Sequence, residues 1–181
     1  MVAALNARGI AYRELNQWDQ ALQDFNQALT ELIKARAEEG ANLSTAISEK
    51  LSLIKQLTQK AETLEERQPQ AIKQKIRQNI DLLKDQTIEL DETRLHQEAI
   101  LIASKADIKE ELDRLIAHVA QAEELIVKKE PVGRRLDFLC QEFNREANTI
   151  CSKANAKELT YIGLELKTVI DQLREQVQNI E

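Results

Sequence analysis

Along most of this chain apolar residues recur at steps of three and four, the spacing of an amphipathic helix. Between 30 and about 68 they are Leu32, Ala35, Leu43, Ile47, Leu51, Ile54 and Leu57, which predicts one long helix with Gly40 as its weak point. Pro69 opens a second helix over 70–85, with Ile72, Ile76, Ile80 and Leu83 inward. Proline fits a first turn because no intrahelical N–H bond is needed there. The two helices are expected to pair as a coiled-coil-like hairpin. Polar "DQTIELDET" interrupts the period, and helix resumes over 93–104. The next helix, 107–128, has Asp107 and Glu110 as an N-cap pair. "EPVG" turns the chain into a return helix over 133–153, and a last helix buries Leu159, Ile162, Leu166, Val169, Leu173 and Val177.

The return helix, "GRRLDFLCQEFNREANTICSK", has an unusual wet side. At about 100° per residue, Leu136, Leu139, Cys140, Phe143, Ala147, Ile150 and Cys151 share one arc, an ordinary buried stripe. The opposite arc carries Asp137, Gln141, Asn144, Arg145, Asn148, Thr149 and Ser152. Solvated helix faces are usually built from Glu, Lys and Ala. Short hydrogen-bonding side chains, two of them Asn, favour caps and turns over helix interiors. Their concentration here predicts that this face holds something.

Composition agrees with an all-α chain. Aromatics are 3% of 181 residues and Gly plus Pro number six, so the core must be aliphatic and its helices long. The expected architecture is extended helical hairpins, or a helical bundle with one long coiled-coil-like pair. A net charge of −6 means that any polyanion must bind a local patch. "KKEPVGRR" is the one candidate patch, with Lys128, Lys129, Arg134 and Arg135 around a turn, although on charge alone a solvated loop is the favoured reading. No apolar run approaches the roughly 20 residues of a membrane span, and "MVAALNARG" lacks a signal-peptide layout. A cytoplasmic location is expected. Cys140 and Cys151 lie about 16 Å apart along one helix, too far for a disulfide, and read as small buried hydrophobes. His96 reads as a surface residue.

At the amino end, Gly9, Tyr12, Trp18, Ala21, Phe25 and Ala28 fall at the spacings of a tetratricopeptide repeat, with "LNQW" as its turn. Small residues let two helices approach and aromatics fill between them. There is one copy, whereas such repeats normally bury their faces against neighbours. A helical hairpin capping the next element is therefore favoured over a peptide-binding groove.

Folding 107–128 against 134–153 places position i opposite roughly 263 − i. His118 then faces Arg145, with Glu142 and Glu146 within a turn. Glu111 and Arg114 share the face of His118 and look toward Thr149 and Ser152. A histidine, carboxylates, two arginines and several amides would converge on one groove. Phosphodiester hydrolysis uses such parts: a base or a divalent ion, and positive charge for the pentacoordinate phosphate. Glu111, His118 and Glu142 form the expected metal set, with Glu146 beside them for acid–base work. The same residues also fit a seam of ion pairs that only fixes helix register, and spacing alone favours that seam. There is no HExxH, P-loop, Gly-rich phosphate cradle or Cys-based zinc spacing.

The stretches "LDETRLHQEAILIASKADIKEELDRLIAHV", "VGRRLDFLCQEFNREANTICSKA" and "REQVQNIE" resemble the YicC/YloC family of bacterial endoribonucleases, over most of 91–181. "ARAEEGANL" is similar, more weakly, to an upstream family segment. The resemblance implies a divalent-metal-dependent endonuclease, using Mn or Mg, that acts on RNA as a homo-oligomer, a hexamer in the family. Glu110, Glu111, Arg114, His118, Gly133, Arg134, Asp137, Gln141, Glu142, Asn144, Arg145, Glu146, Asn148, Thr149, Ser152 and Lys153 match its motifs. Residue type then assigns His118, Glu111, Glu142 and Glu146 to catalysis. Arg114, Arg134, Arg135, Arg145, Asn148 and Lys153 are assigned to RNA phosphate. The family's separate amino-terminal domain has no counterpart, and the tetratricopeptide-like hairpin stands in its place. Three segments follow: 1–32 as that helix pair, 33–90 as the long hairpin, and 91–181 as the YicC-like carboxy-terminal helical domain. The leading expectation is an enzyme cleaving RNA phosphodiester bonds. The alternatives are a non-catalytic helical protein-interaction module, and RNA binding without cleavage through the basic turn.

Overall fold

A computed structural model describes residues 1–64, 107–128, 130–154 and 156–180, with single positions 78, 97, 100, 101 and 104. Among these residues there are five helices and no strand: α1 (Val2–Glu14), α2 (Trp18–Glu62), α3 (Lys109–Ile126), α4 (Gly133–Lys153) and α5 (Lys157–Val177). The fold is all-α, as the composition requires. Apart from those single positions, the helices expected over 70–85 and 93–104 lie outside the described residues, as do His96 and Lys129. No described helix is long and apolar enough to cross a membrane. The chain divides into two compact units, Met1–Ala46 and Ile47–Glu181.

In the first unit α1 turns back along the start of α2. Asn16 takes the left-handed conformation the turn needs, φ 56°, which Asn tolerates better than most residues. Leu5, Gly9, Ala21 and Ala28 are buried between the helices. A Cβ on Gly9 would sit 2.7 Å from the Phe25 ring, so only glycine lets the ring lie on α1. Arg8 grips Asp24 with two bonds of 2.7 and 2.6 Å, and that pairing holds the Asp24 carboxyl below its ordinary range. Trp18 does not fill the space between helices; it is 60% exposed, in a row with Leu22, Leu29 and Ile33. Among the described residues of this unit nothing covers that second face, which a repeat normally buries against a neighbouring repeat. Leu32 and Ala35, expected inward, are exposed as well.

The second unit shares one core. Ile47, Leu51, Ile54 and Leu57 of α2 join Leu112, Leu115 and Val119 of α3, Leu139, Phe143 and Ile150 of α4, and Ile162, Leu166 and Ile170 of α5. Helix α2 runs unbroken through Gly40 into this core. Lys60 and Glu62 near its end pair with Glu158 of α5 and Lys109 of α3. Asp107 accepts the Lys109 backbone N–H at 2.9 Å, capping α3 from just outside. Glu110 does not complete a capping box, because it turns to Arg114. Helices α4 and α5 approach closely where Gly163 meets Cys151: a Cβ there would lie 2.6 Å from the thiol sulfur.

Two outcomes follow from these packings. Gly163→Ala should lower stability by about 1–3 kcal/mol through overpacking in urea denaturation. In a Cys151→Ala background the same change should be neutral or stabilising by up to about 1 kcal/mol, since alanine favours helix over glycine. An equal cost in both backgrounds would contradict the contact. The depressed Asp24 carboxyl contributes stability that is present above the unfolded carboxyl's ordinary pKa and lost as pH falls through the folded value. Melting followed by the single tryptophan, Trp18, should thus lose less on acidification in Asp24→Asn than in wild type, and an unchanged acid limb would refute it.

Candidate metal centre

The α3–α4 hairpin forms because both helices carry an apolar stripe and the connection is short. Register is set by Phe143, 0% exposed, whose ring meets the His118 imidazole edge-on at 6.0 Å and 88°. Arg145, the expected partner of His118, lies about 200° around α4 from Phe143 and is 75% exposed. Glu142 and Glu146 flank Phe143 instead. Ligand atoms of His118, Glu142 and Glu146 all lie within 4.8 Å of one another. Glu146 is buried and Glu142 is 25% exposed.

Both imidazole nitrogens of His118 are shielded from solvent and make no hydrogen bond to a described residue. A desolvated ring without partners is costly to leave so. One imidazole and two carboxylates are a donor set that suits Mn²⁺ and accommodates Mg²⁺, so these residues fit the ion the family implies.

Glu111 lies apart from this group. It is seven residues before His118, about 10 Å along α3, and 4% exposed. Its Oε1 accepts from Arg114 at 3.1 Å and from Lys153 at 3.1 Å, while its Oε2 is buried with no hydrogen bond from a described residue. Arg114 also reaches Glu110 at 3.2 Å and Glu146 at 2.9 Å. The guanidinium assigned to phosphate is thus engaged by three carboxylates. Its pKa is raised further above the ordinary arginine value, chiefly by the bond to Glu146, against a desolvation that lowers it. Thr149 and Ser152, expected opposite Glu111 and Arg114, bond to carbonyls of their own helix.

Among known proteins, the chain matches the family described as "Endoribonuclease YicC-like, C-terminal" over residues 57–181. The chain belongs to this family. Residues 2–31 match the tetratricopeptide repeat. A Haemophilus influenzae protein named "Probable endoribonuclease YicC" is 36% identical over 177 residues, covering 96% of this chain and 61% of that protein. One of the same name from Clostridioides difficile is 36% identical over 164 residues, covering 91% and 56%. The chain therefore spans about three fifths of the length of the curated relatives it matches. Alignment over 96% of the chain takes in most of the repeat-like hairpin too.

The rest of the YicC-like polar face is divided between two neighbours. Gln141 donates to Asp137 at 2.9 Å, and Arg174 of α5 reaches the same carboxylate at 3.3 Å. Asn148 donates to Asn144 at 3.0 Å, and Asn144 to Asp171 at 3.4 Å. Asp171 and Arg174 escaped the sequence reading because they sit singly on the wet side of an ordinary amphipathic helix. Lys153 donates to the Asp107 carbonyl at 2.9 Å. Burial pushes the Cys140 thiol up to about 11, with Asp137 adding to it, which keeps it protonated. In the basic turn, Glu130 draws Arg135 to 3.3 Å and Lys128 to 3.8 Å. Arg134 is exposed and makes no ion pair with a described residue.

Glu146→Gln should cost about 1–2 kcal/mol in denaturant unfolding. Breaking a fully buried pair costs more, and the 44% exposure of Arg114 reduces it. Glu142→Gln, whose partner Arg145 lies 3.8 Å away, should stay within about 0.5 kcal/mol. The reverse ranking would refute the burial argument.

Proposed function

We propose that this chain is the RNA-cleaving part of a YicC-like endoribonuclease that requires a divalent cation, Mn²⁺ or Mg²⁺. The observation that carries the reading is the pair of desolvated, unpartnered His118 nitrogens beside Glu142 and Glu146. On this reading His118, Glu142 and Glu146 hold the cation, and Glu111 serves the site through Arg114 and Lys153. The cation supplies positive charge to the phosphate as negative charge builds in the transition state. Arg145, exposed and only loosely paired with Glu142, meets an RNA phosphate from the outer side of the same turn, and Arg134 meets another near the start of α4. The imidazole, held edge-on by Phe143, is fixed in orientation before substrate arrives. Homo-oligomeric assembly belongs to the same proposal.

Cleavage of a structured RNA should need Mn²⁺ or Mg²⁺ and stop with a chelator. His118→Ala and Glu142→Ala should each slow it by about a hundredfold or more, read as product per enzyme on a gel. Unchanged cleavage in both variants would remove the site assignment, and cation-independent cleavage would remove the cation. The exposed row of Trp18, Leu22, Leu29 and Ile33 favours a second reading, a non-catalytic interaction module. It requires no cleavage by wild type under any cation.

A further inference from the structure

Glu146 belongs to two groups at once. Its carboxylate stands within ligand distance of His118 and Glu142 and forms an ion pair with Arg114, Oε1 to Nε, at 2.9 Å. At 4% exposure it cannot rely on water and must have a positive partner. Arg114, by contrast, is 44% exposed and has two further carboxylates, Glu110 and Glu111. It can give up Glu146 and remain paired.

We propose that Arg114 is the built-in counter-ion of this site, holding Glu146 in the cation-free protein and competing with a divalent cation for it. The inference rests on the metal reading above and adds a positioning residue to it. A guanidinium a few ångströms from the cation repels it while steadying the ligand that the cation needs. The hairpin therefore keeps its geometry before loading, at the expense of affinity. Lys153 neutralises Glu111 only and takes no part in the exchange.

The test is Mn²⁺ titration by calorimetry with thermal melting, on the full chain. Arg114→Met should melt lower than wild type without cation, bind Mn²⁺ about tenfold more tightly, and gain more in melting temperature from it. Equal or weaker binding by Arg114→Met, with wild-type binding lost in His118→Ala, would overturn the exchange and leave the metal site standing. Absence of Mn²⁺ binding in both wild type and Arg114→Met would overturn both. If Arg114→Met does not fold, Arg114→Lys decides. Its single ammonium keeps the charge but holds Glu146 less firmly, so binding about threefold tighter supports the exchange. Unchanged or weaker binding refutes it.

Discussion

A carboxylate buried between two helices must be matched by positive charge, and the hairpin of α3 and α4 is arranged around that requirement at Glu146. Phe143 sets the depth at which the helices meet, and the positions beside it inherit their surroundings from that contact. Glu146 falls on the inner flank, so it loses water and takes Arg114. Glu142, one turn earlier and less buried, keeps partial access to solvent and a looser partner in Arg145. His118 arrives on the same flank from α3, with its ring edge on Phe143. The chemistry on offer is thus a by-product of where one aromatic ring seats.

The polar side chains of α4 then make physical sense as a divided face. Asn and Asp cost helix propensity, and they are retained where a directional partner exists. One set, Asp137, Gln141 and Asn144, ties α4 to Asp171 and Arg174 of α5. The other, Glu142, Glu146 and Lys153, faces α3. Both neighbours are gripped outside the apolar stripe, so α4 is held against rotation about its own axis. That restraint keeps the orientation of His118 relative to Glu142 from drifting, which a stripe of aliphatic contacts alone would permit.

Much of this was legible in the pattern of residues, because helix period and turn chemistry are local. The bounds of α4, the Asn16 turn and the buried stripe of α5 all follow from short-range rules. The convergence of His118 with Glu142 and Glu146 followed from folding two helices about one turn. What periodicity does not carry is rotation about the helix axis, so Arg145 was placed opposite His118 when Phe143 holds that position. Glu111 was grouped with the cation ligands for another reason: it shares a face with His118, but seven residues set it two turns away, where it has its own cations. Trp18 was misread for a different reason: repeat spacing reports which residues want covering, not whether a neighbour covers them.

Charge around the seam bears directly on how an acidic chain could take a polyanion. Glu110, Glu111, Glu142 and Glu146 face Arg114, Arg145 and Lys153, so the formal charge of these acidic and basic side chains sums to minus one. With a divalent cation held at His118, Glu142 and Glu146, the same group becomes positive by one. Nucleic-acid affinity follows such local charge steeply, because each neutralised phosphate releases counterions. The cation would then decide attraction as well as chemistry, and an RNA would find this face unfavourable until the cation was in place. On the proposed reading Arg114 fits that order of events: it would keep the carboxylates paired before loading, and its positive charge would remain beside the phosphate afterwards.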